Sequence, residues 1–513
     1  MSEPNMAVIV GSFVVYTLFI IGIGVYSSKF ASRSDEDYFL AGRSLGPWVA
    51  ALSASASAIS GWITMGVVGM AFANGFRTYW LIPGVCLGYA FNWFVLAARL
   101  RDRSAELGAL TLPDLFSMHF KERIPILRVL SVLVILVAML LYVASQFAAA
   151  GTAFAYTLPA ADYWHGVLIG GAVVLAYTVL GGFRAACWTD FIQALVMIGA
   201  MVGFPIYILI TQGGYGFIAE QFEAAEAAGR GQDLLNFMPQ KSGLALVGFL
   251  LGSSGLGINF GYPGQPHVLV RYMAMRDRKD FLQGGIIALV WMFMILWGAV
   301  TIGLLARAMA EGGAEWGVEI LTDLANGNPE NLKQTALIAF AANALPGVVA
   351  GMVLAAVLAA ICSTADSQLV VAASSVANDL YAKLFAKKSG ATNMFVNRLT
   401  LLLLGFGAVA LVIKDVPDVY SFVVKYGWAI LGAAFGPQLI LLLFWKKNTY
   451  AGCVVGMLVG FVLPVLWTWR YTLYLKDHPN AIEIYNLPLS FMAAMILNVL
   501  VSLATQGGKA TPD

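Results

Sequence analysis

Apolar residues recur along this chain in long unbroken runs, separated by short polar stretches rich in Lys and Arg. A helix that crosses a bilayer needs roughly 20 predominantly apolar residues. On that criterion the sequence predicts about thirteen spans, centred near residues 17, 60, 88, 142, 171, 200, 255, 295, 360, 404, 431, 460 and 496. Two of these runs are interrupted. One reads Leu52-Ser-Ala-Ser-Ala-Ser-Ala-Ile-Ser-Gly61, and the other is the Gly-, Ser- and Pro-rich stretch from Gly252 to Pro266. Unwound backbone inside a membrane is tolerated only where it lines a cavity or is buried in protein. Breaks at 52–61 and 252–266, in corresponding positions of two halves, therefore mark a transporter's binding region.

The breaks divide the chain into span one (6–28), a first repeat (about 46–212), a second repeat (about 243–445) and two further spans (about 450–507). Each repeat holds five spans, an odd number, so the two halves must run in opposite directions. The predicted fold is thus an all-α membrane protein in a single transporter domain, residues 1–513. Its 5+5 inverted repeat would be one on which ion-coupled symporters are built. The run from Pro346 to Leu380 reads as one extended helix, and the Ala/Glu-rich stretch within 213–242 as a short surface helix.

Composition agrees: 60% of the 513 residues are hydrophobic and 11% charged. Lys plus Arg and Asp plus Glu nearly cancel at 30 and 28, which argues against a nucleic-acid partner. The four cysteines (Cys86, Cys187, Cys362, Cys453) lack disulfide or metal spacing and read as buried thiols. The first residues lack the basic region of a cleavable signal peptide. Basic residues fall mainly in alternate loops, from Lys29 and Arg33 through Arg43, Arg99, Arg101, Arg103, Arg184, Arg271, Arg276 and Lys387 to Lys509. The positive-inside rule then puts the N-terminus outside and the C-terminus inside the cytoplasmic membrane.

Candidate chemistry gathers at the breaks and in span nine. Ala360, Ser363, Thr364 and Ser367 share one helix face by their spacing. Their hydroxyls and nearby carbonyls suit a hard cation that wants oxygen ligands; the competing reading is Ser/Thr bonding to their own helix. The serines of the first break have a competing role too, as small residues at a helix contact. Asp366 is an ionisable group within a span, expensive there and a functional candidate by default. Asp190 lies near the inner membrane boundary. Lys425, in span eleven, is either a gate or charge partner, or a lysine snorkelling to the interface. Ser57, Trp62, Tyr142, Gln146, Asn259 and Tyr262 are candidates for a solute cavity. His267 reads as structural, and nothing in the chain pairs a nucleophile with a base, so an enzyme is not expected. The half-helix N-termini exposed at the breaks would favour a carboxylate-bearing solute.

Several motifs carry a family resemblance: Gly42-Arg-Ser-Leu-Gly-Pro47, Ala51-Leu-Ser-Ala54 with Ser60-Gly-Trp62, Thr111-Leu-Pro-Asp114, and Gly181-Gly-Phe183 with Trp188-Thr-Asp190. Gly264-Gln-Pro-His267, Ala359-Ala360 with Ser363-Thr364, and Gly432-Ala-Ala-Phe-Gly-Pro437 continue it in the same order. The chain resembles the sodium:solute symporter family, and within it the sodium/proline symporter branch. The resemblance implies a LeuT-type fold and uptake of a small solute, proline first, driven by a Na⁺ gradient without a further cofactor or an obligatory protein partner. It implies a Na⁺ site made by the Ala56, Ile59 and Ala360 carbonyls with the Ser363 and Thr364 hydroxyls. It implies a second cation or proton site at Asp190, Asp366 and Ser367, and a solute cavity lined by Trp62, Tyr142 and Tyr262. This chain departs from the proline transporters at Ala58, where they carry an aspartate, and at Ile258, where they carry a tryptophan. Lys425 falls where uncharged residues are usual. The open alternatives are H⁺-coupled or Na⁺-independent uptake of another carboxylate-bearing solute, and a transporter-like sensor acting through a partner.

Overall fold

The structure is a computed structural model. It describes residues 6–28, 35–157, 162–231, 233–239, 243–326, 332–385, 394–414, 419–470 and 484–506. Lys29, Arg33, Lys387 and Lys509 lie outside the described residues. Within them the architecture is helical; the one bridge between extended segments joins Leu45 to Met275. That bridge ties the residues just before the helix Pro47–Ala58 to those just after the helix Pro266–Met273. Arg43 donates to the Met273 carbonyl at 2.9 Å and Arg101 to the Arg276 carbonyl at 2.8 Å, so these basic segments share one end of the bundle.

Nine helices among the described residues are long and apolar enough to cross a membrane. That is fewer than the sequence reading counts, because breaks and kinks cut some apolar runs into pieces shorter than a span. Every predicted span centre nevertheless falls in a helix or in one of the two breaks. The helix Tyr163–Ile198 shows the effect: it turns at Gly182, whose φ of 62° belongs to the left-handed region open to glycine. The expected long helix spans Gly347–Ser374 and continues as a π-helix to Phe385; the expected surface helix spans Tyr215–Ala227. Large apolar side chains such as Val15, Leu18, Ile210 and Phe406 point outward, as a bundle solvated by lipid requires.

The first break is narrower than the sequence predicts. Gly46 and Pro47 start a helix that runs through Ala58, and the backbone leaves helical geometry at Ile59 (φ −95°, ψ 115°). The serines do not unwind it. Ser53, Ser55 and Ser57 are fully buried and direct their hydroxyls to other elements instead of to their own backbone. The chain then turns at Ser60 and resumes as a π-helix from Trp62 to Val67 and an α-helix from Val68 to Asn74.

The second break is wide. The helix Gly243–Leu250 ends, a 3₁₀ segment covers Leu256–Gly264, and Gln265 is extended before Pro266 opens the helix Pro266–Met273. Proline in that first position costs no hydrogen bond, since the first N–H groups of a helix have no partner within it. Gly261 lets the indole of Trp428 approach: a Cβ there would lie 1.8 Å from Trp428 Nε1. Trp428 Nε1 donates to the Ile258 carbonyl at 3.1 Å, and Gln265 Nε2 to the Gly261 and Trp428 carbonyls.

Candidate functional site

A helix that stops inside the protein leaves its last carbonyls without partners. At the first break every one of these carbonyls can be traced. Ser55 O receives the Ile59 N–H at 3.0 Å, and Ala58 O receives the Trp62 indole N–H at 3.2 Å. Ala56 O receives the Ser363 hydroxyl at 3.0 Å; Ser57 O and Ile59 O receive the Thr364 hydroxyl at 3.1 and 3.0 Å. Ser363 also reaches its own Ala360 carbonyl at 3.2 Å. Five residues from two distant segments, Ala56, Ile59, Ala360, Ser363 and Thr364, thus meet at one fully buried point. Neighbouring oxygens held at ~2.4 Å from a cation and at right angles to one another stand about 3.4 Å apart, close to these spacings. The group is uncharged and lies at a helix C-terminus, whose dipole favours positive charge. Its chemistry fits a monovalent cation better than a transition metal, which would call for nitrogen or sulfur ligands.

On the opposite side of the break, Gln146 Oε1 accepts the Gly61 N–H at 3.0 Å and Ser60 Oγ accepts the Trp62 N–H at 3.2 Å. Gln146 therefore holds the restarted helix. Asn259 similarly donates to its own Leu256 carbonyl at 2.6 Å and secures the 3₁₀ turn. Trp62 packs near Tyr420, Tyr142 meets His267 edge-on at 6.0 Å, and Tyr262 lies between Tyr89 and Trp428. The hydroxyls of Tyr142 and Tyr262 and both ring nitrogens of His267 are buried without a hydrogen-bond partner among the described residues. Buried polar groups of this kind are normally satisfied by protein, water or ligand, so these aromatics are suited to a polar solute. Lys425 is half-buried in the π-helix Val423–Trp428, and its backbone carbonyl accepts from Asn486 at 2.7 Å.

One turn deeper, Ser57 Oγ lies 2.8 Å from Ser367 Oγ and 3.2 Å from Asp190 Oδ2. Ser53 donates to the same carboxylate oxygen at 2.7 Å. Ser367 donates to Asp366 Oδ1 at 3.0 Å, so the two aspartates meet through one hydroxyl. Asp190 Oδ1 and Asp366 Oδ2 have no hydrogen-bond partner among the described residues.

The charge pattern missed the residue at the centre of this cluster. Arg271, which the sequence assigns to an inner loop, is fully buried and lies 2.9 Å from Asp190. Counting basic residues treats each as solvated; this one exchanges water for a carboxylate, two serines and a carbonyl. The signal that could have exposed it is the pairing itself, a lone Asp within an apolar run and a lone Arg just after a break. Both need partners in a low-dielectric interior.

A bundle of membrane-crossing helices, two of them broken and one of the breaks lined by a buried oxygen cradle, defines a secondary transporter of the ion-coupled kind. Comparison with known proteins agrees. The sequence profile of the sodium:solute symporter family matches residues 38–460, and the chain belongs to that family. It is 34% identical over 494 residues to the osmoregulated proline transporter OpuE of Bacillus subtilis, covering 96% of this chain and 94% of that one. It is 35% identical over 459 residues to the sodium/proline symporter of Escherichia coli, covering 89% and 87%. Among solved structures, a Na⁺-coupled sialic acid symporter in an outward-open, substrate-bound state shares the fold. The TM-score is 0.75 at 20% identity, over 99% of both chains.

Proposed function

We propose that this protein carries a small organic solute inward across the cytoplasmic membrane together with Na⁺, with proline or a related amino acid as the first solute to test. The observation that carries the reading is the meeting of Ala56, Ile59, Ala360, Ser363 and Thr364 around the end of the first half-helix. Na⁺ is a co-substrate there. Entering among the freed carbonyls, it replaces hydroxyl donors that now bridge the first break to the Gly347–Ser374 helix, and so sets the distance between the two elements. The solute occupies the aromatic region of Trp62, Tyr142 and Tyr262, while Ser57 links the cradle to the Asp190–Ser367 cluster through its carbonyl and its hydroxyl. Lys425 serves as a gate on the solute side. The N-terminus faces outward and the C-terminus inward, and the two five-span repeats rock against each other around the breaks. The relatives named for proline transport support proline as the first solute, while Ile258, on the wall of the second break, gives the pocket a different shape from theirs.

A second reading is favoured by one observation. Asp366 has an oxygen without a hydrogen-bond partner in a chain that carries Ala58 at the first break, so the Asp190–Asp366–Ser367 cluster would take a second cation or a proton. Uptake of a labelled solute panel into proteoliposomes, in Na⁺ against choline buffer at two pH values, separates the possibilities. Na⁺-stimulated uptake supports the first. Uptake that rises at low pH without Na⁺ overturns it, and no uptake of any solute favours a sensor.

A further inference from the structure

A buried ion pair contributes little net stability, because desolvating both charges offsets their attraction. The Arg271–Asp190 pair is fully buried, and its connections point to a role beyond holding the fold together. The guanidinium is held from four directions. Nη2 donates to Asp190 Oδ2 at 2.9 Å and to Ser367 Oγ at 2.5 Å, Nε donates to Ser53 Oγ at 3.1 Å, and Nη1 donates to the His267 carbonyl. The Phe183 ring lies 5.1 Å below its Cζ. Ser53 belongs to the first half-helix Pro47–Ala58 and Ser367 to the Gly347–Ser374 helix, the two elements that form the oxygen cradle. Arg271 itself belongs to Pro266–Met273, the helix that closes the second break. His267, one turn before it, meets Tyr142 in the aromatic region.

The contacts run on without interruption. Ser367, bound by Arg271, is in contact with Ser57 Oγ, and the Ser57 carbonyl accepts from Thr364 in the cradle. A cation that moves Thr364 and the first half-helix therefore moves the partners of Arg271, and with them the helix that bears His267.

We propose that Arg271 is a positioning residue that couples the cation site to the solute site. Its forked donors tie the second broken helix to the first broken helix and the Gly347–Ser374 helix in one arrangement. Cation binding at the cradle selects that arrangement, so the solute pocket is formed before the solute arrives. Coupling of this kind is reciprocal: whatever Na⁺ adds to solute affinity, the solute adds to Na⁺ affinity. A lysine keeps the charge, but its single ammonium cannot reproduce the planar fork that spans Ser53, Asp190 and Ser367 at once.

This inference rests on the Na⁺-coupled reading above. The test is solute binding to purified, full-length protein, using labelled proline or whichever panel solute the wild type takes up fastest. Dissociation constants are measured in choline chloride and in saturating NaCl, and their ratio is the coupling factor. In Arg271→Lys that factor falls about tenfold or to unity, while affinity in choline stays within about threefold of wild type. Retention of the wild-type factor overturns the inference alone. So does equal weakening in both buffers, the outcome of a merely structural role. Should Arg271→Lys fail to fold, Ser53→Ala removes the Nε partner together with the hydrogen bond Ser53 donates to Asp190; it is expected to lower the factor about threefold, and no change overturns the inference. A wild type that takes up no panel solute, or whose affinity ignores Na⁺, overturns both this inference and the reading it rests on.

Discussion

Replacing Thr364 by valine removes one hydroxyl and almost nothing else. The side chain is fully buried, and its Oγ1 stands 3.1 and 3.0 Å from the Ser57 and Ile59 carbonyls. Valine keeps the branched shape, so packing is preserved while the proposed five-oxygen shell loses one member. A hydrogen-bonding group facing a charge contributes about 1.5–3 kcal/mol, and each ~1.4 kcal/mol is tenfold in affinity. The apparent Na⁺ constant should therefore rise about 10- to 100-fold. The two carbonyls left without a donor cost about 1–3 kcal/mol of stability in Na⁺-free buffer, a loss that NaCl should partly restore as cation refills the site. The assay is initial uptake of labelled solute into proteoliposomes, with NaCl titrated against choline chloride at constant ionic strength, and melting temperature followed in parallel. Thr364→Ser, which keeps the hydroxyl, should stay within about threefold of wild type. A valine variant whose Na⁺ constant is unchanged refutes the cradle. So does a serine variant that fails as badly as valine, since the hydroxyl would then not be the relevant group.

Gly261→Ala would push a Cβ to 1.8 Å from Trp428 Nε1. An overpacked core typically loses about 1–3 kcal/mol, here by displacing the 3₁₀ segment, so solute affinity should fall more than Na⁺ affinity in paired titrations. Arg128 lies 2.9 Å from Asp114, 3.8 Å from Glu122 and 2.6 Å from Asp379, all four side chains being buried. Arg128→Met leaves three carboxylates without their cation and should destabilise by about 3–5 kcal/mol, read as a lower melting temperature; a variant that melts with the wild type would discount the network. His119, in the loop helix Leu112–His119 outside the spans, accepts from Arg103 through Nδ1, and burial together with Arg103 pushes its pKa from 6.5 down to about 4. Because the unfolded chain takes up this proton first, the contribution is constant above pH 6.5 and is lost as pH falls towards 4. His119→Gln should remove that part of the acid sensitivity when melting temperatures of the two proteins are compared across pH; parallel curves would contradict it.

Legibility differed between the parts of this molecule. Membrane spans are readable because lipid forces each helix to bury its own backbone and to be apolar for its whole length. The helix face of Ala360, Ser363, Thr364 and Ser367 was readable from spacing alone, and the structure brings all four towards the first break. The position of the break was less so. A Ser/Ala alternation resembles weakened helix in sequence, but buried serines with partners elsewhere leave the helix intact up to Ala58. Gln146 and Asn259, singled out as cavity residues, use their amides on backbone: Gln146 holds the Gly61 N–H of the distant first break, and Asn259 its own 3₁₀ turn. Local spacing shows which way a side chain faces, not what it meets.

Hydrophobic length and the placement of glycine and proline determined by themselves that this is a membrane protein with two interrupted helices, because those constraints act within a single segment. Tertiary structure alone decided which groups pair. Arg271 and Asp190 are 81 residues apart, and Ser363 and Ala56 are 307 apart. Their meeting depends on how the helices pack and on the cost of leaving a charge or a carbonyl without a partner where water is absent. No local pattern encodes that choice, so an arginine that reads as a loop residue becomes the centre of the buried cluster.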